Sequence, residues 1–253
     1  MTSDKAQPAL VVFDLDGTLA QSKRAVDPEM AALLVRLVSV VRVAVISGGA
    51  WPQFEQQLLG GLPGGDWLKR VSLMPTCGAE FYRYEGVWTR VYSERFTEAE
   101  RDHIIAALHK ALEVCAFDIP QIWGPQIEDR GGQITYSALG QHAPIEAKSL
   151  WDPDMVKRRK LVEVLGPMIP DAFARLGGAT SIDVTRPGID KAYGLRQLEA
   201  LLDTPCERMI FVGDALFPGG NDYPAISTGA RPIAVHDPEQ TKRVIEAICA
   251  CLE

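Results

Sequence analysis

The chain has 253 residues, 47% of them hydrophobic and 23% charged, which is the ordinary balance of a globular protein with one large domain or two unequal ones. A net charge of −7 argues against nucleic acid as a partner, since general nucleic-acid binding needs a basic surface. No apolar stretch reaches membrane-spanning length, and Met1 to Pro8 lacks the apolar core of a signal peptide, so no membrane association is expected.

The five cysteines show neither CxxC pairs nor metal-ligand spacing, which fits a reducing cytoplasm better than a disulfide framework. In chain order, Leu10 to Phe13 reads as a buried strand because it is apolar, largely β-branched and too short for a helix. It runs into Asp14-Leu15-Asp16-Gly17-Thr18, two aspartates at the strand's C-terminal end, where open α/β sheets bind ligands. Asp27-Pro28-Glu29 is a helix start, followed by Met30, Leu33, Leu34 and Leu37 at helical spacing. Val41 to Ile46 is a second strand ending in Ser47-Gly48-Gly49, which completes a βαβ unit and implies a parallel sheet. Trp51 to Leu59 reads as a helix and Val71 to Met74 as a strand.

The pattern then changes to hairpins, one around Glu85-Gly86 and one around Gly131-Gly132. Between them Thr97-Glu98-Ala99-Glu100 is a capping box that opens a helix. Asp152-Pro153 predicts another helix start, Gly166-Pro167 its end, and Thr180 to Thr185 a strand. The βαβ pattern resumes with a helix over Lys191 to Leu202, a strand over Met209 to Val212, a short helix over Asn221 to Thr228, a strand over Pro232 to Val235, and a final helix capped by Asp237. The predicted fold is therefore α/β: a Rossmann-like parallel-sheet core over residues 1–85 and 187–253, with an α+β cap domain, residues 86–186, inserted between.

Asp14 and Asp16 suit nucleophilic phosphoryl chemistry, one carboxylate attacking phosphorus and the other handling the leaving-group proton. The bland alternative is a polar strand-to-turn junction. Ser47 with Gly48 offers backbone N–H groups for phosphate, or is an ordinary β–α turn. Lys191 at a helix start opposes the helix dipole, a conflict resolved if it faces a phosphate or Asp14. Asp214, in a loop rich in glycine that ends with Asn221-Asp222, suits Mg²⁺ together with Asp14 and the Asp16 carbonyl, with Asp222 holding a coordinated water.

The ordered set Asp14-x-Asp16-Gly17-Thr18, Ser47, Lys191 and Gly213-Asp214 to Asn221-Asp222 resembles the four motifs of the haloacid dehalogenase superfamily. The last motif's Pro218-Gly219-Gly220-Asn221-Asp222 and the segment Asp183 to Lys191 resemble the eukaryotic-type phosphomannomutase branch. The resemblance implies Asp14 as nucleophile, Asp16 as acid/base, Ser47 and Lys191 as stabilisers of the transferring phosphoryl group, and Mg²⁺ as cofactor. It further implies a phosphosugar substrate contacted by Lys23, Arg130, Ser181 and Asp183, and it allows a homodimer through the cap. Gln141 stands where the branch has a central arginine, and Lys23 where it often has one. A neutral amide cannot make the bidentate fork that holds a second phosphate. The expectation is therefore a sugar phosphatase, with a hexose-phosphate mutase as the alternative; a receiver-type signalling domain and an inactive binding protein are the rivals from other classes.

Overall fold

The structure is a computed structural model describing residues 7–253, so the first six residues of the polar N-terminal stretch lie outside the described residues. Strand β1 (Leu10–Phe13) is buried at every position. Helix α1 (Pro28–Val40) follows, its N-terminus capped by the Asp27 carboxylate, which accepts from the Met30 N–H at 2.8 Å. Then come β2 (Arg42–Ile46), α2 (Trp51–Gln57), β3 (Val71–Met74) and the hairpin β4 (Glu80–Tyr84) and β5 (Trp88–Ser93). A second set follows: α3 (Glu98–Cys115), β6 (Ile127–Asp129), β7 (Gln133–Ser137), α4 (Ile145–Trp151), α5 (Val156–Leu165), β8 (Phe173–Leu176) and β9 (Ser181–Thr185). The chain closes with α6 (Lys191–Leu202), β10 (Met209–Gly213), β11 (Arg231–Ala234) and α7 (Pro238–Leu252).

One compact unit comprises the chain up to Ser93 with Asp190–Pro218 and Asp222–Glu253. Its seven-stranded sheet has the order β11-β10-β1-β2-β3-β4-β5, parallel through β3 and antiparallel beyond it. Alternate residues of the central strands feed two cores. Val11, Phe13, Val43, Val45 and Val212 pack with Met30, Leu34, Leu37 and Ile245 of α1 and α7. Leu10, Val12, Ala44, Ile46 and Phe211 pack with Leu195 and Leu198 of α6. Helices on both faces explain why these strands are continuously apolar rather than alternating. The order also places β1 centrally, so Asp14 emerges in the middle of the sheet's C-terminal edge, beside the end of β10.

The second unit comprises Glu94–Ile189 with Gly219–Asn221. Its antiparallel sheet has the order β6-β7-β9-β8. Here the alternation is one-sided: Ile134, Tyr136, Ile182 and Val184 join Ile104, Leu108, Leu161 and Leu165 of α3 and α5 in a core. The residues between them, Gln133, Thr135, Ser137, Ser181, Asp183 and Thr185, form a polar face.

The boundary expected at residue 86 lies instead after Ser93. The hairpin β4–β5 extends the core sheet, and aromatic contacts fasten it there: Trp51 stacks on Tyr82 at 3.9 Å, and Trp88 meets Tyr84 edge-on at 5.4 Å. The return falls at Asp190 rather than 187. Helix α5 begins at Val156, later than Asp152-Pro153 predicts, because Met155 adopts a left-handed φ of 63° that ends the preceding turn. Asp152 still serves the helix, accepting from the N–H groups of Lys157 and Arg158. The segment over Asn221 to Thr228 is a 3₁₀ turn over Tyr223–Thr228, and α4 and β8 have no counterpart in the sequence reading. No helix among the described residues is long and apolar enough to cross a membrane.

Asp152 and Arg158 form a buried ion pair at 2.8 Å. Burial alone would raise the Asp152 carboxyl, but the Arg158 side chain and the two backbone donors hold it below its usual value. Asp152→Asn strands a buried guanidinium and is expected to cost about 3 kcal/mol in urea unfolding at neutral pH. A lowered folded pKa stabilises above the unfolded value and is lost as pH falls through the folded one, so the gap between wild type and variant should shrink below about pH 4.

Candidate active site

The ends of β1 and β10 and the start of α6 bring their polar residues to one place. Lys191 Nζ, fully buried, donates to Asp14 Oδ1 at 2.5 Å and to Asp222 Oδ1. Thr18 Oγ1 stands 3.4 Å from the other Asp14 oxygen. The cation at a helix N-terminus, unfavourable against the helix dipole, is matched by two buried carboxylates. Helix α6 is brought in closely by a glycine contact: a Cβ on Gly78 would lie 2.7 Å from Gly194 Cα. Asp190 caps α6 through the Tyr193 N–H.

Carboxylate oxygens of Asp14, Asp214 and Asp222 all lie within 4.8 Å of one another. Gly17 makes this possible. Its φ of +81° suits only glycine, and a Cβ there would stand 2.4 Å from Asp214 Oδ2. Burial pushes Asp14 well above the usual carboxylate range; Lys191 opposes this, and Asp222 and Asp214 add to it. Asp214, the solvent-exposed member, is pushed up to about 6 by the protein packed around its carboxyl and by the charge of Asp222. Burial disfavours the Lys191 ammonium, yet Asp14 and Asp222 hold it charged, above the usual lysine range. Three carboxyls therefore face one ammonium, and the excess negative charge calls for a cation. An all-oxygen donor set fits Mg²⁺, a hard ion that takes a few carboxylates and keeps other positions for water and phosphate. Asp222 accepts from Lys191 through one oxygen and from the Ala215 N–H through the other, the latter at 2.9 Å.

The Asp16 carboxylate has partners of its own. Its Oδ1 accepts from the Lys23 N–H at 2.7 Å and from Gln57 Nε2 at 3.1 Å, and its Oδ2 from Gln53 Nε2 at 2.6 Å. Lys23 thus meets the site through its backbone, while its side chain is exposed. Ser47 is buried, and its Oγ accepts from the Gly49 N–H at 3.1 Å across Gly48. The turn before β4 clamps this loop, with the Cys77 and Thr76 N–H groups donating to the carbonyls of Ser47 and Gly49.

In the second unit, Arg130, Gln141, Ser181 and Asp183 belong to the polar side of its sheet. Asp183 Oδ1 accepts from Thr135 Oγ1 at 2.7 Å, and Gln141 Nε2 donates to Ser137 Oγ at 3.1 Å. Ser181 is paired in register with Ser137, and Arg130 donates to Glu128 at 2.6 Å. Burial raises the Asp183 carboxyl, against the positive charge of Arg130 and the Thr135 bond. Asn221 is half-buried and groups with this unit. The sequence reading passed over Gln53 and Gln57. Their i,i+4 spacing directly after the Ser47 turn is the signal that could have marked them.

A family model described as "Eukaryotic phosphomannomutase" matches residues 30–251. The chain is similar to a phosphomannomutase of Oryza sativa subsp. indica, 30% identical with 88% of each chain covered. It is also similar to one of Schizosaccharomyces pombe, 29% identical over 87% of this chain and 85% of that one. Among solved structures, an IMP-bound, N-terminally truncated IMP-nucleotidase of Plasmodium falciparum superposes with a TM-score of 0.70 at 17% identity. That superposition covers 96% of this chain and 68% of the other, and it shows a shared fold.

If Asp14, Asp214 and Asp222 hold the cation, Mg²⁺ at about a hundred times its dissociation constant should add roughly 2.7 kcal/mol of stability and raise the melting temperature. Asp214→Asn should lose most of that rise in a thermal melt. An equal rise in both proteins would place the ion elsewhere.

Proposed function

Because the chain belongs to the eukaryotic phosphomannomutase family, we propose that it interconverts hexose 1- and 6-phosphates through an aspartyl-phosphate on Asp14. The observation that carries this reading is Lys191, buried and bonded to Asp14 beside a cluster of carboxylates. An Asp14 oxygen attacks phosphorus as the bond to the sugar oxygen breaks, and Asp16 gives that oxygen its proton. The ammonium of Lys191 steadies Asp14 and offsets charge on the transferring group. Mg²⁺ held by Asp14, Asp214 and Asp222 would neutralise phosphate charge and keep it from repelling the carboxylate. In the second half, Asp16 takes the proton of the acceptor hydroxyl as its oxygen attacks the aspartyl-phosphate. Transfer from the phosphorylated enzyme to the 6-hydroxyl of mannose 1-phosphate makes a bisphosphate, and return of its 1-phosphate to Asp14 leaves mannose 6-phosphate. Ser47 with Gly48 would bind the transferring phosphate, and the polar face of the second unit, with Arg130, Ser181 and Asp183, suits a hydroxylated or phosphorylated ligand.

Family membership favours the mutase over hydrolysis, which the sequence reading preferred. One observation still supports hydrolysis: Gln141 is buried, neutral and bonded to Ser137, so it offers no charge to a second phosphate. Incubation with mannose 1-phosphate and Mg²⁺, with and without a hexose 1,6-bisphosphate, separates the two. Mannose 6-phosphate formed only with the bisphosphate is the expected result; inorganic phosphate released equally in both would establish a phosphatase. Asp14→Ala should abolish turnover in either case, and Mg²⁺-dependent activity retained in that variant would refute the aspartyl-phosphate.

A further inference from the structure

Asp16 sits at a turn, where a short side chain would otherwise sample several rotamers. Both of its oxygens are instead claimed by amides from one helix, Gln53 and Gln57, adjacent on the same side of α2. The two glutamines are bonded to each other, Gln53 Nε2 to Gln57 Oε1, so they act as one unit. Gln57 is buried, and its second N–H goes to the Arg24 carbonyl at 3.0 Å, which ties in the loop that follows Asp16. A second observation is independent of these bonds. The Gln53 carboxamide lies directly over Gly49, and a Cβ there would stand 2.3 Å from its Oε1. The glycine after Ser47-Gly48 thus makes the room that lets Gln53 reach Asp16.

We infer that Gln53 and Gln57 are positioning residues for proton transfer by Asp16, coupling its aim to the Ser47-Gly48-Gly49 turn. The proposal rests on the acid/base role of Asp16 given above. Neither glutamine exchanges a proton itself. Each fixes a carboxylate oxygen, so the proton on its way to or from the sugar oxygen meets an acceptor already in place, the kind of preorganisation on which effective molarity depends.

General-acid assistance matters for a poor leaving group and little for a good one, which gives the test. Gln53→Met keeps the volume over Gly49 and removes the donors; Gln53 is only half-buried, so this variant should fold. Its kcat/KM toward a hexose 1,6-bisphosphate is expected to fall about tenfold, and the loss toward p-nitrophenyl phosphate, whose phenolate leaves without a proton, to be several-fold smaller. In an Asp16→Asn background the same substitution should have almost no further effect on the sugar phosphate, since it acts through Asp16. Equal losses on both substrates, losses additive with Asp16→Asn, or no loss at all would each overturn the proposal. Failure of the underlying reading looks different: Asp16→Asn alone would then leave turnover of the sugar phosphate intact.

Discussion

A lysine ammonium buried to zero exposure is the constraint on which the core depends. Desolvating such a charge costs several kcal/mol, and an ion pair in the interior returns that cost only when its geometry is good. Lys191 meets the condition with two carboxylates, one just past the end of β1 and one in the loop after β10. Much else follows from it. Helix α6 must start beside the strand ends, which the close Gly78–Gly194 approach permits. The surplus carboxylate charge can be met from outside the chain, and the all-oxygen donor set suits a hard divalent cation.

The two compact units use β-structure in opposite ways. In the first, the central strands are buried on both faces and the polar cluster lies at the ends of the strands, where side chains leave the packed layers. In the second, one whole face of the sheet is polar, with Thr135–Asp183 and Gln141–Ser137 already bonded within it. Such a face is an array of preset donors and acceptors, suited to a hydroxylated ligand. The strand-end cluster is concentrated charge, suited to a phosphoryl group.

The motif residues of the first unit were legible because each carries a local contradiction. Two acids follow an apolar strand, and a lysine opens a helix against its dipole. For Asp14 and Lys191, pairing with each other resolves it. The sequence reading sets the domain boundary at the hairpin because a change from parallel strands to a hairpin suggests a new architecture. The core sheet itself turns antiparallel at β4, and the aromatic packing of Trp51, Tyr82 and Trp88 that retains the hairpin is long-range. Helix α4 and strand β8 are short and lie between turn residues, so periodicity had too little length to register. Gln53 and Gln57 were passed over because glutamine on a helix is ordinary at the level of sequence. Only the placement of Asp16 and the bareness of Gly49 distinguish them.

The separation of 177 residues between Asp14 and Lys191 also bears on how the chain is made. Strand β1 pairs on one edge with β2, close in sequence, but its other edge stays open until β10 is synthesised. Residues 94–189 of the intervening stretch form a unit whose core draws only on its own residues, so it can close while the first unit still waits. During synthesis the N-terminal half-sheet therefore carries a central strand with one edge unpaired, ending in two acids. Charge at an open strand edge is one of the devices by which sheets discourage pairing with other chains.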